Sequence, residues 1–375
     1  MMINMAAEHL GIVGGGQLGR MLTEAAKPMG FEVTVIDPGE NCPAAQAGAN
    51  QIQASLTDYD AVHELAEQVD VVTWEIEHIN TEALYNLSVP VEPSPYTLAD
   101  IKDKLSQHMR LQARGIPVAD FRPISEQADL DRVFDAFDGK VIVKSRYGGY
   151  DGRGNMVVDA PGWNQVSAKF GNQPLYAERI VPFRKELAVV AARGKTGVIR
   201  QYPVVETEHI RNICNIVSAP ADISDGIRDD AIEIAHETMR QLDGLGVFAI
   251  EMFLTDEDQV LVNEIAPRVH NSGHLTIEAN ATSQFEQHVR AVMGLPLGSA
   301  DPVSPAVMIN ILGERDGEVE VNGRDRVLAI PETHLHLYGK SPTKVDRKMG
   351  HITVLADSVS EARQLAIKAR KEFSI

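Results

Sequence analysis

A chain of 375 residues with 44% apolar and 23% charged residues is long enough for two or three domains and has ordinary globular usage, which excludes disordered and collagen-like classes. Its 35 Lys and Arg against 53 Asp and Glu leave a net charge of −18, so nucleic acid and anionic membrane are not expected partners, and an anionic ligand must be caught by local basic groups. Two cysteines in no paired spacing, no apolar run of about 18 residues and no basic-then-apolar leader over residues 1–9 give the expectation of a soluble, cytoplasmic protein.

The first hundred residues alternate strand and helix. Residues 10–13 are an apolar run followed by a glycine cluster, after which Leu18, Met21, Leu22, Ala25 and Ala26 recur at helical spacing until Pro28 and Gly30 stop them. Residues 31–36 read as a second strand, 51–54 as a third and 69–74 as a fourth, with a helix through Val62, Leu65 and Ala66. Strands separated by helices of this length imply parallel units with right-handed crossovers, hence a doubly wound sheet.

From Phe121 the texture changes. A strand and a helix lead into an apolar strand at 141–143 and a loop holding Gly148, Gly149, Gly152 and Gly154; another strand ends at Glu178. Strands at 187–192, 198–205 and 213–219 follow with little helix between them, as in a mostly antiparallel sheet. A helix over 224–242 sets Ile227, Ala231, Ile234, Ala235 and Leu242 on one face. A hairpin of 247–254 and 259–265 comes next, and 303–375 alternates short strands with a final helix opened by Ser358 and Glu361 in a capping box.

Three constellations carry chemistry. Gly14, Gly16 and Gly19 spell G-x-G-x-x-G between a strand and a helix, with Asp37 ending the next strand. Alone this reads as a dinucleotide site for NAD, although the same glycines serve a simple tight turn, and a helix N-terminus stabilises any anion. In the hairpin, a turn centred between Glu257 and Asp258 would set Glu251 directly across from Glu264. Like charges so placed repel, and both interrupt apolar strands, which points to a cation between them. Oxygen-only ligands favour Mg²⁺ shared with a phosphate over Zn²⁺. The third is Lys144 at a strand end, ahead of a glycine loop over 147–155 whose amides can fold over a nucleotide.

This order of parts resembles the ATP-grasp superfamily, with Lys104, Lys144, the glycine loop, Glu178, Glu186, Glu251 and Glu264 in the expected sequence. The segments GGGQLGRM from Gly14, KSRYGGYDGRGN from Lys144 and NEIAPRVHNSGH from Asn263, with GLGVFAIEMF and KMGHITVL, look like the 5-(carboxyamino)imidazole ribonucleotide synthases of purine biosynthesis, over nearly the whole chain. The fold so implied is α/β and α+β. A Rossmann-like pre-ATP-grasp domain would span 1–100, an ATP-grasp lid 101–190, the main domain with antiparallel sheets 191–300, and a small C-terminal part 301–375.

The resemblance also implies roles. Lys104 and Lys144 would contact ATP phosphates under Gly149, Tyr150, Asp151, Gly152, Arg153, Gly154 and Asn155. Glu178, Arg179, Ile180, Val181 and Glu186 would hold adenine and ribose, with His209 and Asn263 near the nucleotide. Glu251 and Glu264 would carry Mg²⁺. Many ATP-grasp enzymes place an asparagine two residues beyond the second glutamate; Ala266 stands there, leaving that position to water. Gln17 and Leu18 would receive the phosphate of aminoimidazole ribonucleotide, with Glu75, Asp151, Arg153, Lys340, Arg347 and Lys348 completing the pocket. Arg268, His270 and Asn271 would face bicarbonate or carboxyphosphate, and Asp151 would orient the amine. His270 and His274 have a helical metal-pair spacing, but Pro267 and Gly273 favour a loop, and zinc is not expected. The implied activity is ATP-dependent carboxylation of the ribonucleotide amine by a homodimer. Rival readings are a formate-using glycinamide ribonucleotide transformylase, an NAD-dependent oxidoreductase, and a nucleotide-binding regulator.

Overall fold

The computed structural model describes residues 8–149, 154–159, 162–242 and 244–375. The first four strands, β1 (His9–Val13), β2 (Glu32–Ile36), β3 (Asn50–Ile52) and β4 (Val71–Trp74), form a parallel sheet in the order β3-β2-β1-β4. The near-continuous apolar runs of β1, β2 and β4 are those of strands covered on both faces, whereas the edge strand β3 is polar and partly exposed. On one face the helix Gln17–Ala26 places Leu18, Met21 and Leu22 in a core shared with Val247, Phe285 and Val289 from later in the chain. On the other, Val62 and Leu65 of the helix Tyr59–Ala66 pack on Val13, Ile36 and Trp74. The strand order reverses at β1 and β4, so the crevice beyond their carboxyl ends, where ligands of open sheets bind, opens at Gly14 and Glu75.

A second sheet holds β5 (Phe121–Ile124), β6 (Val141–Ser145), β7 (Asn155–Val158) and β8 (Leu175–Arg179), all antiparallel, in the order β5-β8-β6-β7. Its helices Gln127–Ala136 and Trp163–Phe170 bury Leu130, Val133, Val166 and Phe170 against Val141 and Val143.

The remaining strands are β9 (Phe183–Arg193), β10 (Ile199–Gln201), β11 (Val205–Ile210), β12 (Ile213–Ala219), β13 (Gly246–Thr255), β14 (Val260–Ala266), β15 (Ala306–Leu312), β16 (Thr333–Leu337) and β17 (Lys348–Leu355). They build one nine-stranded antiparallel sheet, β14-β13-β9-β11-β12-β15-β17-β16, with β10 beside β9. The helix Asp225–Leu242 lays Ile227, Ala231, Ala235 and Met239 on β9 and β13. The final helix Val359–Lys371, capped by Ser358 accepting from the Glu361 amide, packs on β15 and β17.

Three differences from the sequence reading have physical causes. The strand expected over 198–205 is two strands, β10 and β11, because Pro203 between them has no N–H to give the ladder. The helices Pro95–Lys102 and Lys104–Ala113, which periodicity did not suggest, start at the caps Ser94 and Asp103, whose side chains accept from the Tyr96 and Ser106 amides. Their Ile101 and Leu111 join the core under β9 and β13, and β9 itself runs through residue 190. The large sheet therefore crosses the implied boundary at residue 190 through β9, and the C-terminal strands continue that sheet. Among the described residues no helix is long and apolar enough to cross a membrane.

Candidate active site

Glu251 and Glu264 are paired directly across β13 and β14. The turn beyond them is centred on Glu257, half a residue from the expected centre, as the pair Leu254 and Val260 shows; a bulge makes up the difference. Met252 pairs with Val262, which leaves Asn263 as the extra residue, so Asn263 and Glu264 together stand opposite Glu251. The bulge thus gathers three polar side chains on one strand pair.

Burial, and then the Glu264 charge, push the Glu251 carboxyl up to about 7. Lys104 Nζ lies 3.0 Å from Glu264 Oε1. Burial works against its charge, but Glu264, Glu178 and Glu251 outweigh burial and raise its pKa, so Lys104 is an ammonium ion. Two facing, partly buried carboxylates, one of them pushed up by burial and by the charge of the other, fit a hard divalent cation. Among the described residues no group of three or more His, Cys, Asp or Glu is arranged to hold a metal by itself, so water and phosphate oxygens would fill the remaining positions.

The residues that the resemblance assigns to the nucleotide come together between the second and third sheets. Lys144, on β6, is buried with its Nζ 2.7 Å from Glu178 Oε2, and His108 Nε2 lies 3.3 Å from the other oxygen. Lys144 and His108 hold Glu178 below its usual range against the opposing effect of burial. Glu186 faces Phe253 across the ladder, two residues from Glu251 on the same face, and its Oε2 is 2.7 Å from His209 Nδ1. Burial opposes the imidazolium, but Glu186 and Glu251 prevail and raise His209. Asn155 pairs with Lys144, and Ser145 N donates to Gly154 O, so the ends of the glycine loop are pinned beside the lysine. Tyr150, Asp151, Gly152 and Arg153 lie outside the described residues. Arg179 turns away from the pocket: its guanidinium pairs with Asp120 at 3.1 Å and Asp138 at 2.5 Å and lies over Phe137. Its side chain is committed to those partners, and Ile180 and Val181 carry the chain from β8 into β9.

The glycine turn is occupied from within. Both oxygens of Glu75, just past β4, accept backbone hydrogen bonds of 2.5 Å, one from Gly16 and one from Gly19. Burial pushes the Glu75 carboxyl up, although those amides and Lys340 pull the other way. A Cβ on Gly16 would stand 2.7 Å from Glu75 Oε1, so a side chain there would push against the Glu75 carboxylate. Asp37 accepts from Gly15 N at 3.1 Å and Gly39 N at 2.8 Å. This corrects the dinucleotide reading, because the acid that would meet a ribose is spent on the turn. Leu18 is buried in the core, so it offers only its backbone, whereas Gln17 Oε1 accepts from Lys340 Nζ at 2.5 Å.

The loop after β14 brings the remaining groups. Arg268 Nε is 2.8 Å from Glu77 Oε1. His270 Nε2 is 3.5 Å from Glu251 Oε1, and burial, with Arg268 and Lys348 nearby, keeps its ring neutral. The Ser272 amide donates to His270 Nδ1, so the ring proton sits on Nε2, facing the carboxylates. Lys348 opens β17 and bears electrostatically on Glu251, His209 and His270. Arg347 donates to Pro342 O at 2.6 Å. The Asn271 amide does not point at an open oxyanion position; it is paired with Asn310 by hydrogen bonds of 2.6 and 3.1 Å, a partner that no local sequence signal announces.

Comparison with known proteins agrees with this arrangement. The ribonucleotide synthetase preATP-grasp domain matches residues 7–102, the ATP-grasp domain 109–285, and the phosphoribosylaminoimidazole carboxylase C-terminal domain 306–365. The chain is 43% identical to a phosphoribosylaminoimidazole carboxylase of Schizosaccharomyces pombe over 95% of its own length, but spans only 66% of that relative. It is 37% identical to the N5-carboxyaminoimidazole ribonucleotide synthase of Bacillus subtilis over 94% of this chain and 92% of the relative. The crystal structure of the Thermotoga maritima synthetase superposes with a TM-score of 0.88 at 42% identity, covering 98% of this chain and 99% of the other. The Aspergillus clavatus synthase, solved with ADP and 5-aminoimidazole ribonucleotide, gives 0.89 at 38% identity over 97% and 99%. Full-length similarity of this extent, together with the paired carboxylates and their lysines, places the chain in the N5-carboxyaminoimidazole ribonucleotide synthase family of the ATP-grasp superfamily.

Proposed function

We propose that this chain carboxylates the exocyclic amine of 5-aminoimidazole ribonucleotide with ATP and bicarbonate, giving N5-carboxyaminoimidazole ribonucleotide, ADP and phosphate. The supporting observation is that Glu251 joins two half-sites. Glu264 and Lys104 approach it from the nucleotide side, and His270 from the loop that carries Arg268. A bicarbonate oxygen attacks the γ-phosphorus of ATP and ADP leaves; the amine nitrogen then attacks the carboxyl carbon of carboxyphosphate, phosphate leaves, and the nitrogen gives up a proton. Mg²⁺ held by Glu251 and Glu264 would offset charge on the transferring phosphoryl group. Lys104 and Lys144, paired with carboxylates in the absence of nucleotide, exchange those partners for phosphate oxygens, so charge balance is kept as the substrate enters. His270 presents a fixed N–H donor to the oxyanion, and Arg268, braced by Glu77, presents a cation. Glu75, tethered by two amides, has lone pairs left for the ribose hydroxyls, while Lys340, Arg347 and Lys348 meet the phosphate together with the Gln17 and Leu18 backbone. Asp151 orients the amine.

We extend the reading to a homodimer working in the cytoplasm. The test of function is ADP release with MgATP, bicarbonate and 5-aminoimidazole ribonucleotide, in step with loss of the amine. Equal release with glycinamide ribonucleotide and formate would overturn the choice of substrate.

A further inference from the structure

The loop that carries Arg268 and His270 is held by two buried carboxamides from distant parts of the chain. Gln284, at the start of the helix Gln284–Val292, is fully buried. Its Oε1 accepts from His270 N at 2.9 Å, and its Nε2 donates to His270 O at 2.7 Å. One side chain thereby satisfies both backbone groups of one residue, as a neighbouring strand would. The second Nε2 hydrogen faces His274 Nδ1 at 3.2 Å. The grip continues through Thr276, whose hydroxyl donates to Gly273 O at 2.6 Å and accepts from Gln284 N at 2.9 Å. A Cβ on Gly273 would come within 2.6 Å of Gln284 Oε1, so the contact also explains that glycine. From the other side Asn310, 1% exposed on β15, holds the Asn271 amide and reaches Cys214 O at 2.8 Å.

Two consecutive residues are thus fixed by different means, His270 through its backbone and Asn271 through its side chain. The His270 ring leaves this grip toward Glu251, with Ser272 setting its tautomer. A buried amide is costly unless each of its groups is paired, and here the Gln284 side chain commits its hydrogen bonds to the loop that ends at the oxyanion side of the site, while its backbone N–H donates to Thr276 beside it. We infer that Gln284 and Asn310 are positioning residues that set how well the Arg268–His270 loop binds the small oxyanion substrate, leaving the ATP side unaffected. This rests on the carboxylation reading above.

The test is steady-state kinetics of Gln284→Glu, Gln284→Met and Asn310→Ser, together with hydrogen exchange at the His270 amide without substrates. Gln284→Glu keeps an acceptor for His270 N but turns an oxygen on His270 O. Loss of one buried hydrogen bond corresponds to about a tenfold rise in KM for bicarbonate, with KM for ATP within about twofold of wild type. The His270 amide should exchange faster in Gln284→Met. KM values for ATP and bicarbonate that rise together, alongside a lower Tm, would reduce the role to general stability and overturn the inference, as would His270 exchange equal to wild type. Should Gln284→Met not fold, the Gln284→Glu and Asn310→Ser split decides the matter. Wild-type protein that releases no ADP in response to bicarbonate would instead sink the functional reading, and the exchange rates would still tell whether the clamp exists.

Discussion

The Glu251 carboxyl carries an electrostatic conflict: it is partly buried, it faces Glu264, and its pKa is raised to about 7. Glu264→Gln removes the facing charge. Glu251 should then ionise nearer its ordinary range, while the cation site keeps one carboxylate instead of two and Lys104 loses its 3.0 Å partner. The expected outcome is turnover lowered by at least about a hundredfold at fixed Mg²⁺, since a lost charged contact is worth about 3 kcal/mol. Part of the loss should be recovered at high Mg²⁺. Mg²⁺ titrations of ADP release in both proteins measure this, and a mutant with the wild-type Mg²⁺ dependence would contradict it. The same residue scale settles the glycine fingerprint. Gly16→Ala sets a methyl 2.7 Å from Glu75 Oε1, so it should dislodge Glu75 and raise KM for the ribonucleotide while ATP affinity, measured calorimetrically, stays put. Loss of ATP affinity in Gly16→Ala would show that the turn serves the other substrate.

At the scale of elements, what the sequence discloses follows from the range of the interaction. Strand alternation and the βα rhythm are local, so β1 to β4 and the hairpin of β13 and β14 are readable from period and turn residues alone. The facing of Glu251 and Glu264 is readable too, but only because the bulge at Asn263 offsets the half-residue error in the turn's centre. A bulge leaves no mark in hydropathy. The helices Pro95–Lys102 and Lys104–Ala113 carry weak amphipathic patterns, and their Ser94 and Asp103 caps were the available signal. The site is legible where it depends on residue type, as with lysines and paired acids. It is illegible where it depends on partner choice across the chain: Arg179 prefers Asp120 and Asp138, Asp37 prefers the turn, and Asn271 prefers Asn310, 39 residues away. None of these choices changes the local pattern, so only the folded arrangement reveals them.

The whole molecule is joined across its first and third sheets by an apolar seam and one histidine. Leu18, Met21 and Leu22 meet Phe285 and Val289 in a common core, and beside them His288 is buried and neutral. Its Nδ1 accepts from Val247 N on β13 at 3.0 Å, which places the ring proton on Nε2, donated to Thr73 Oγ1 on β4 at 2.9 Å. The left-handed Gly246, where a Cβ would touch the ring at 2.9 Å, makes room for it. Burial holds His288 at about 4, and a charged ring would aim an N–H at the Val247 amide. Because the unfolded chain binds this proton near pH 6.5, the neutral ring's contribution is fully present above that pH and is lost as pH falls toward about 4, a difference of about 3 kcal/mol by linkage. Glu251 works in the opposite sense. Its raised value favours the fold at low pH, and that contribution is lost as pH rises from about 4.5 to about 7. Between those limits these two contributions nearly cancel, while Glu92, raised to about 6, and the buried neutral rings of His270, His274 and His351 add slopes of their own to the wild-type profile. Two variants should tilt it in opposite directions. Relative to wild type, Glu264→Gln, which removes one of the two main causes of the raised Glu251 value, should make stability rise more steeply with pH, whereas His288→Asn, which retains an acceptor for Val247 N, should make it rise less steeply or fall. Urea unfolding of the three proteins at half-unit intervals of pH measures the slopes directly. Parallel profiles in wild type and His288→Asn would show that the seam between the sheets does not depend on the charge of this histidine.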